Sequence, residues 1–192
     1  MCTGAPTRQR STQFMNASEW TFPTSTCETP VDHLPRQPWS SLVNAAIIGM
    51  MLCRRRTNLV YSIIQFETIH LCAHVTYSTQ LSVMQHFSTN LVLHFYAKSG
   101  KFTNIAQAID CAVVAFVGGL WQVFSGFCLF FTYKFEDTRV RIGGTIVMLM
   151  MFNEHLFCIR MLQFADLPYH CVLELVGMYV FYCMTEERKK SE

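Results

Sequence analysis

The sequence predicts an all-α, polytopic membrane helix bundle with seven transmembrane helices, six being the alternative count. Three observations lead there. Only 15% of the 192 residues are charged, against about 25% in a soluble domain, which is too few to cover a water-facing surface. Hydrophobic residues make up 51%, with 16 Phe and 11 Met, and the mean hydropathy is positive. The apolar residues also gather into runs separated by short polar breaks. Such a chain is not a disordered tail, a coiled coil or a disulfide-stapled secreted module.

Residues 1–38, rich in Thr, Ser and Pro, are expected to form a polar, largely irregular N-terminal arm. The transmembrane bundle follows over 39–185 and a polar tail over 186–192. The arm holds no apolar run of signal-peptide length, so the first span itself is expected to direct insertion. The apolar runs are 40–53, 57–77, 80–97, 102–135, 141–163 and 169–184. The run 102–135 decides the count. As one helix it would be about 51 Å long at about 1.5 Å per residue, against a hydrocarbon core of about 30 Å. Gly118-Gly119 lies at its middle and predicts a break into two short helices.

Charge gives an independent test, because Lys and Arg collect in cytoplasmic loops. With seven spans and the N-terminus outside, Arg54 to Arg56, Lys98, Lys101, Lys134, Arg139, Arg141 and Arg188 to Lys190 all face the cytosol. With six spans and the N-terminus inside, Arg54 to Arg56, Lys98 and Lys101 would face outward. Seven spans fit better. The arm is then luminal or extracellular, with the sequon Asn16-Ala17-Ser18 in it, and the C-terminus is cytosolic. The short spans suit a thin bilayer such as that of the endoplasmic reticulum, or the Golgi.

A net charge of +2, with the basic residues in short clusters beside apolar runs, does not suit a nucleic-acid partner. Membrane lipids are the expected partners. Six of the nine Cys lie inside apolar stretches, where Cys acts as a small hydrophobe. There is no C-x-x-C spacing, so a thiolate zinc site is not expected.

Ionisable groups within the spans carry the functional argument, since each costs about 2.5–3.5 kcal/mol on insertion scales. Glu67, His70 and His74 follow E-x-x-H-x-x-x-H in the second span, on one face of a helix. His86 lies in the third span, Asp110 in the fourth, and Asn153, Glu154 and His155 in the sixth. His170 and Glu174 open the last at i and i+4, a spacing that lets both reach one metal ion. Counted from the outer end, His74 and His170 lie about 3–5 Å deep, and His70, His86 and Glu174 about 9–10 Å. Asp110, Glu154 and Glu67 follow at about 12–15 Å.

Taken singly, Asp110 or His155 reads as a group bonded to a neighbouring helix. His94 reads as an interfacial structural residue, and Arg160 as a side chain that snorkels outward or pairs with Asp166. The Phe and Met stripes read as packing or lipid-facing surface. The set His70, His74, His86, His170 and Glu174 is different, because several buried costs at one depth call for one shared compensation: a metal or proton-handling site. Imidazole and carboxylate without thiolate suit zinc, with a nearby carboxylate as general base. Haem, a rival through two facing His, would want small residues where the porphyrin packs, and these helices are crowded with Phe, Leu and Met. A diiron desaturase site would need more His than the spans hold.

The seven-span order, a His near the end of the second span, and Pro168-Tyr169-His170-Cys171-Val172-Leu173-Glu174 opening the last resemble the alkaline ceramidase superfamily of membrane hydrolases. Gln37-Pro38-Trp39-Ser40-Ser41-Leu42-Val43-Asn44 is similar to that family's first-helix start. Cys27-Glu28 resembles the acidic calcium-binding segment before it, which makes calcium a second cofactor that the resemblance implies. The resemblance further implies zinc held by His74, His170 and Glu174, with His70 or His86 orienting or replacing a ligand and Glu67 or Glu154 as base. The implied activity is zinc-dependent hydrolysis of a lipid amide. The chain departs from the family pattern, which has a His where Glu174 stands, a Ser where His70 stands and an Asp near His86, and these departures bear on whether it turns over substrate. The alternative is a non-enzymatic multi-span protein: a receptor-like, scaffold or proton-coupled transport component whose buried His and Glu hold helices together or relay protons.

Overall fold

The computed structural model describes residues 38–76, 79–117, 119–157, 161–162 and 167–186. The sequon, Cys27-Glu28, Gly118, Arg160, Asp166 and the tail beyond Glu186 lie outside the described residues, as do the side chains of His74 and His155. The described residues form seven helices: α1 (Pro38–Leu52), α2 (Asn58–Thr76), α3 (Thr79–Tyr96), α4 (Thr103–Phe116), α5 (Gly119–Phe130), α6 (Thr138–Phe157) and α7 (Tyr169–Glu186). The fold is all-α. The long apolar run divides where expected, α4 ending at Phe116 and α5 opening at Gly119.

Each helix packs on the next in sequence, and α7 returns to α1 and α2, which closes the ring. Two short antiparallel ladders brace the linkers. β1 (Lys98–Ser99) pairs with β2 (Tyr133–Lys134), and β3 (Met161–Leu162) with β4 (Leu167–Pro168). The main apolar core joins Ile47 and Met51 of α1, Leu59, Val60 and Ile63 of α2, Val92 of α3, Val140 of α6, and Val180, Cys183 and Met184 of α7. A second core gathers Leu93, Leu129, Phe130 and Tyr133. Gly143 and Gly144 bring α6 close to both neighbours. A Cβ on Gly143 would stand 2.7 Å from Val180 Cγ2, and one on Gly144 2.6 Å from the Phe130 ring.

Hydroxyls along the helices return to their own backbone, as with Ser62 Oγ donating to Leu59 O (2.8 Å), Thr68 Oγ1 to Ile64 O (2.7 Å) and Thr145 Oγ1 to Arg141 O (2.8 Å). Among the described residues no helix is long and apolar enough to cross a membrane.

Helix starts follow from their caps. Thr57 Oγ1 accepts from Val60 N at 3.2 Å ahead of α2. Asp137 caps α6, its Oδ1 accepting from Arg139 N at 2.7 Å. The Arg139 guanidinium folds back onto the same carboxylate (Nη2 to Oδ2, 3.0 Å) and reaches Glu186 Oε2 at 3.2 Å, tying the start of α6 to the end of α7. Desolvation favours the neutral acid at Asp137, but the hydrogen bonds and charge of Arg139 outweigh it and hold the carboxyl below the usual range.

A depressed carboxyl contributes stability above the ordinary Asp value near 4, which is lost as the pH falls through the folded value. Asp137→Asn is therefore expected to lower thermal stability at neutral pH, with the difference from wild type vanishing as the pH falls through the folded value. Asp137→Ala, which also removes the cap, is expected to cost about 0.5–2 kcal/mol. Parallel melting curves of the three proteins under one set of conditions, at neutral and at acid pH, check both.

Candidate metal centre

The second and last helices meet with their polar faces inward. On α2, Glu67 and His70 stand at i and i+3, and on α7, His170 and Glu174 stand at i and i+4, so each pair projects from one side of its helix. Glu67, Glu154 and Glu174 are between 2% and 3% exposed and His70 is 7% exposed. Glu174 Oε1 lies between two imidazoles, 3.3 Å from His70 Nε2 and 3.1 Å from His170 Nε2. The two rings stand nearly perpendicular, 84° apart with centroids separated by 6.0 Å. Phe66 packs on His70 and on Phe181, fixing the α2 side of the site.

From α6, Glu154 meets the other nitrogen of His170, with Nδ1 3.0 Å from each carboxylate oxygen. Glu154 lacks a proton of its own to give in its ionised form, so the ring nitrogen donates and Nδ1 carries the hydrogen. The Nε2 lone pair is then directed at the centre of the site. A carboxylate bonded behind a ligating imidazole is the arrangement that orients histidine on a metal and raises its basicity.

The donors suit zinc by kind and by spacing. His70, His170 and Glu174 each offer one ligand atom, and these atoms lie within 4.8 Å of one another. Tetrahedral ligands at about 2.1 Å from zinc lie roughly 3.4 Å apart, close to the 3.1 and 3.3 Å separations between Glu174 and the two rings. Glu67 adds a third carboxylate one turn from His70. Its charge interacts with that of Glu174, and its Oε2 has no hydrogen-bond partner among the described residues.

The seven residues singled out in the sequence thus divide. His70, His170 and Glu174 converge, with Glu154 behind His170 and Glu67 beside them. His74, which the family resemblance made a ligand, has its side chain outside the described residues. His86 is placed elsewhere: its Nε2 lies 2.7 Å from Asp110 Oδ2 on α4. His94 is exposed beside Phe95 near the end of α3. Sequence reasoning missed Asn90 and Ser125, both bonded to Asp110. The spacing of Asn90, one turn from His86, was the available signal.

Glu154→Leu is expected to release Nδ1 of His170. Histidine-ring 15N spectra would then show a mixture of tautomers at His170 in place of the Nδ1–H form. Comparison with protein-family models, with curated proteins and with solved structures gives no match for this chain, so its site is read from its own residues.

Proposed function

We propose that the protein is a membrane-embedded hydrolase of a lipid amide, dependent on zinc held by His70, His170 and Glu174. The observation that carries this reading is the meeting of two imidazoles and a carboxylate from α2 and α7 within 4.8 Å, with Glu154 at 3.0 Å behind His170. The reaction type comes from the resemblance to the alkaline ceramidase superfamily. The membrane setting is supported by inverted polarity. Leu52, Phe116 and Trp121 are 68%, 72% and 64% exposed, while Glu67, Asp110, Glu154 and Glu174 are at most 3% exposed. The arm is then luminal and the C-terminus cytosolic, in a thin bilayer such as that of the endoplasmic reticulum or Golgi.

When bound, zinc supplies Lewis acidity that polarises a carbonyl and makes water more acidic. The protein's own groups do the rest. Glu154 keeps His170 in the tautomer that presents Nε2 inward. Glu67, buried and with an uncommitted oxygen, accepts the proton of water as its oxygen bonds to the amide carbon. The same proton passes to the departing amine nitrogen as the C–N bond breaks. The apolar exterior lets an acyl chain approach from the lipid side.

Metal analysis of the full chain purified in mild detergent tests this directly. The expected result is about one zinc per chain, lost in His70→Ala and in the His170→Ala/Glu174→Ala double variant. Glu154→Gln is expected to weaken zinc affinity by about 10–100-fold. Glu67→Gln is expected to keep zinc and to slow cleavage of a long-chain N-acyl lipid by about 10²–10⁴-fold. A metal-free wild-type protein with its helical circular dichroism intact would overturn the proposal and leave a bundle held together by His–Glu bonds.

A further inference from the structure

A second polar centre lies on α3, α4 and α5 and takes no part in the zinc reading. Asp110, near the middle of α4, is fully buried. Its Oδ2 faces His86 Nε2 at 2.7 Å and accepts from Asn90 Nδ2 at 3.2 Å, both from α3, while its Oδ1 accepts from Ser125 Oγ of α5 at 2.6 Å. Each partner can serve as donor, which is the environment of an ionised carboxylate. His86 then spends its Nε2–H on Asp110 and keeps a lone pair on Nδ1.

That nitrogen has no hydrogen-bond partner among the described residues, and the imidazole is the more open member of the pair, 15% exposed at the side chain against 0% for Asp110. The α5 backbone leaves the ring its space. A Cβ on Gly126 would stand 3.1 Å from His86 Cε1 and 3.8 Å from Nε2. With neutral imidazole the cluster encloses one uncompensated negative charge, an arrangement that low-dielectric surroundings oppose. One proton on Nδ1 converts it into an imidazolium–carboxylate pair without moving a heavy atom.

We propose that His86 and Asp110 form a proton-loading site. A proton from water adds to the Nδ1 lone pair of His86, and the bond from Nε2–H to Asp110 Oδ2 becomes an ion pair. Groups on the neighbouring elements leave this pair in control. On α3 and α5 the partners Asn90 and Ser125 are neutral, and Cys128 of α5 is exposed. On α4, Cys111 adjoins Asp110 and senses its charge. On α6, Met148 is the side chain beside Gly126. The ionisable groups of α2, Glu67 and His70, interact with Glu174 of α7.

Histidine-ring 15N spectra of the full chain in lipid nanodiscs, recorded from pH 5 to 9, test the proposal. The His86 signals are assigned by their loss in His86→Gln. At the alkaline end His86 is expected as the Nε2–H tautomer, and on acidification Nδ1 is expected to gain one proton in a single step. Asp110→Asn, which keeps the shape and removes the charge, is expected to abolish both the tautomer preference and loading within that interval. A wild-type His86 that rests as the Nδ1–H tautomer, or that takes up no proton between pH 5 and 9, overturns the proposal whether or not the Asn variant folds. A loading step that moves when sodium replaces choline also overturns it, in favour of a small-cation site. None of these readouts uses zinc content, so they stand apart from the test of the hydrolase reading.

Discussion

A carboxylate withdrawn from water must be met by donors or cations, and unpaired it costs several kcal/mol. That requirement sets how these helices meet. Glu174 of α7 stands between His70 of α2 and His170 of its own helix, whose inward nitrogens leave room for a shared cation. Glu154 of α6 is met by His170. Asp110 of α4 gathers two donors from α3 and one from α5. The apolar cores bring the helices together by particular faces. The buried acids fix the rotation further, because a helix turned by one residue would swing its partner about 100° away. Removing one member is therefore worse than losing a bond, since the other is left charged and buried.

The inverted polarity follows from the same constraint. A chain with 15% charged residues that places several of them inside has little left for its outside. Leu42, Ile105, Phe116, Trp121 and Ile142 all stand more than half exposed on the perimeter. Serine and threonine add to the effect by bonding to their own helices. The polar breaks then fall at the ends, where Lys98 meets Glu136 at 2.6 Å and Arg139 meets Asp137 and Glu186.

The helices were legible in the sequence because their limits are set locally. The triple arginine at 54–56 separates α1 from α2, and the paired glycines at 118–119 divide a run too long for one helix. The i and i+4 spacing of His170 and Glu174 was legible for the same reason: two residues on one helix share a face whatever the neighbours do. Partnership between helices was not. Counting along the spans sets His70, His86 and Glu174 in one layer, but depth says nothing of rotation about the axis. The structure divides the layer, His70 with Glu174 and His86 with Asp110. The acids of α6 and α4 were equally visible, yet only contact shows that Glu154 backs His170 while Asp110 backs His86.

The two centres differ in charge, and that difference separates their chemistry. At the first, three acidic side chains, Glu67, Glu154 and Glu174, gather around two imidazoles, His70 and His170. Protonating both rings would remove the lone pairs that face Glu174. A divalent cation bound by neutral rings keeps those lone pairs as ligands. At the second, Asp110 and His86 stand one to one, so a single proton suffices. A divalent ion there would find one imidazole and one carboxylate already bonded to each other and to neutral donors, with an excess positive charge to bury. On the proposed reading, an excess of acid over base suits a metal, and acid matched to base suits a proton.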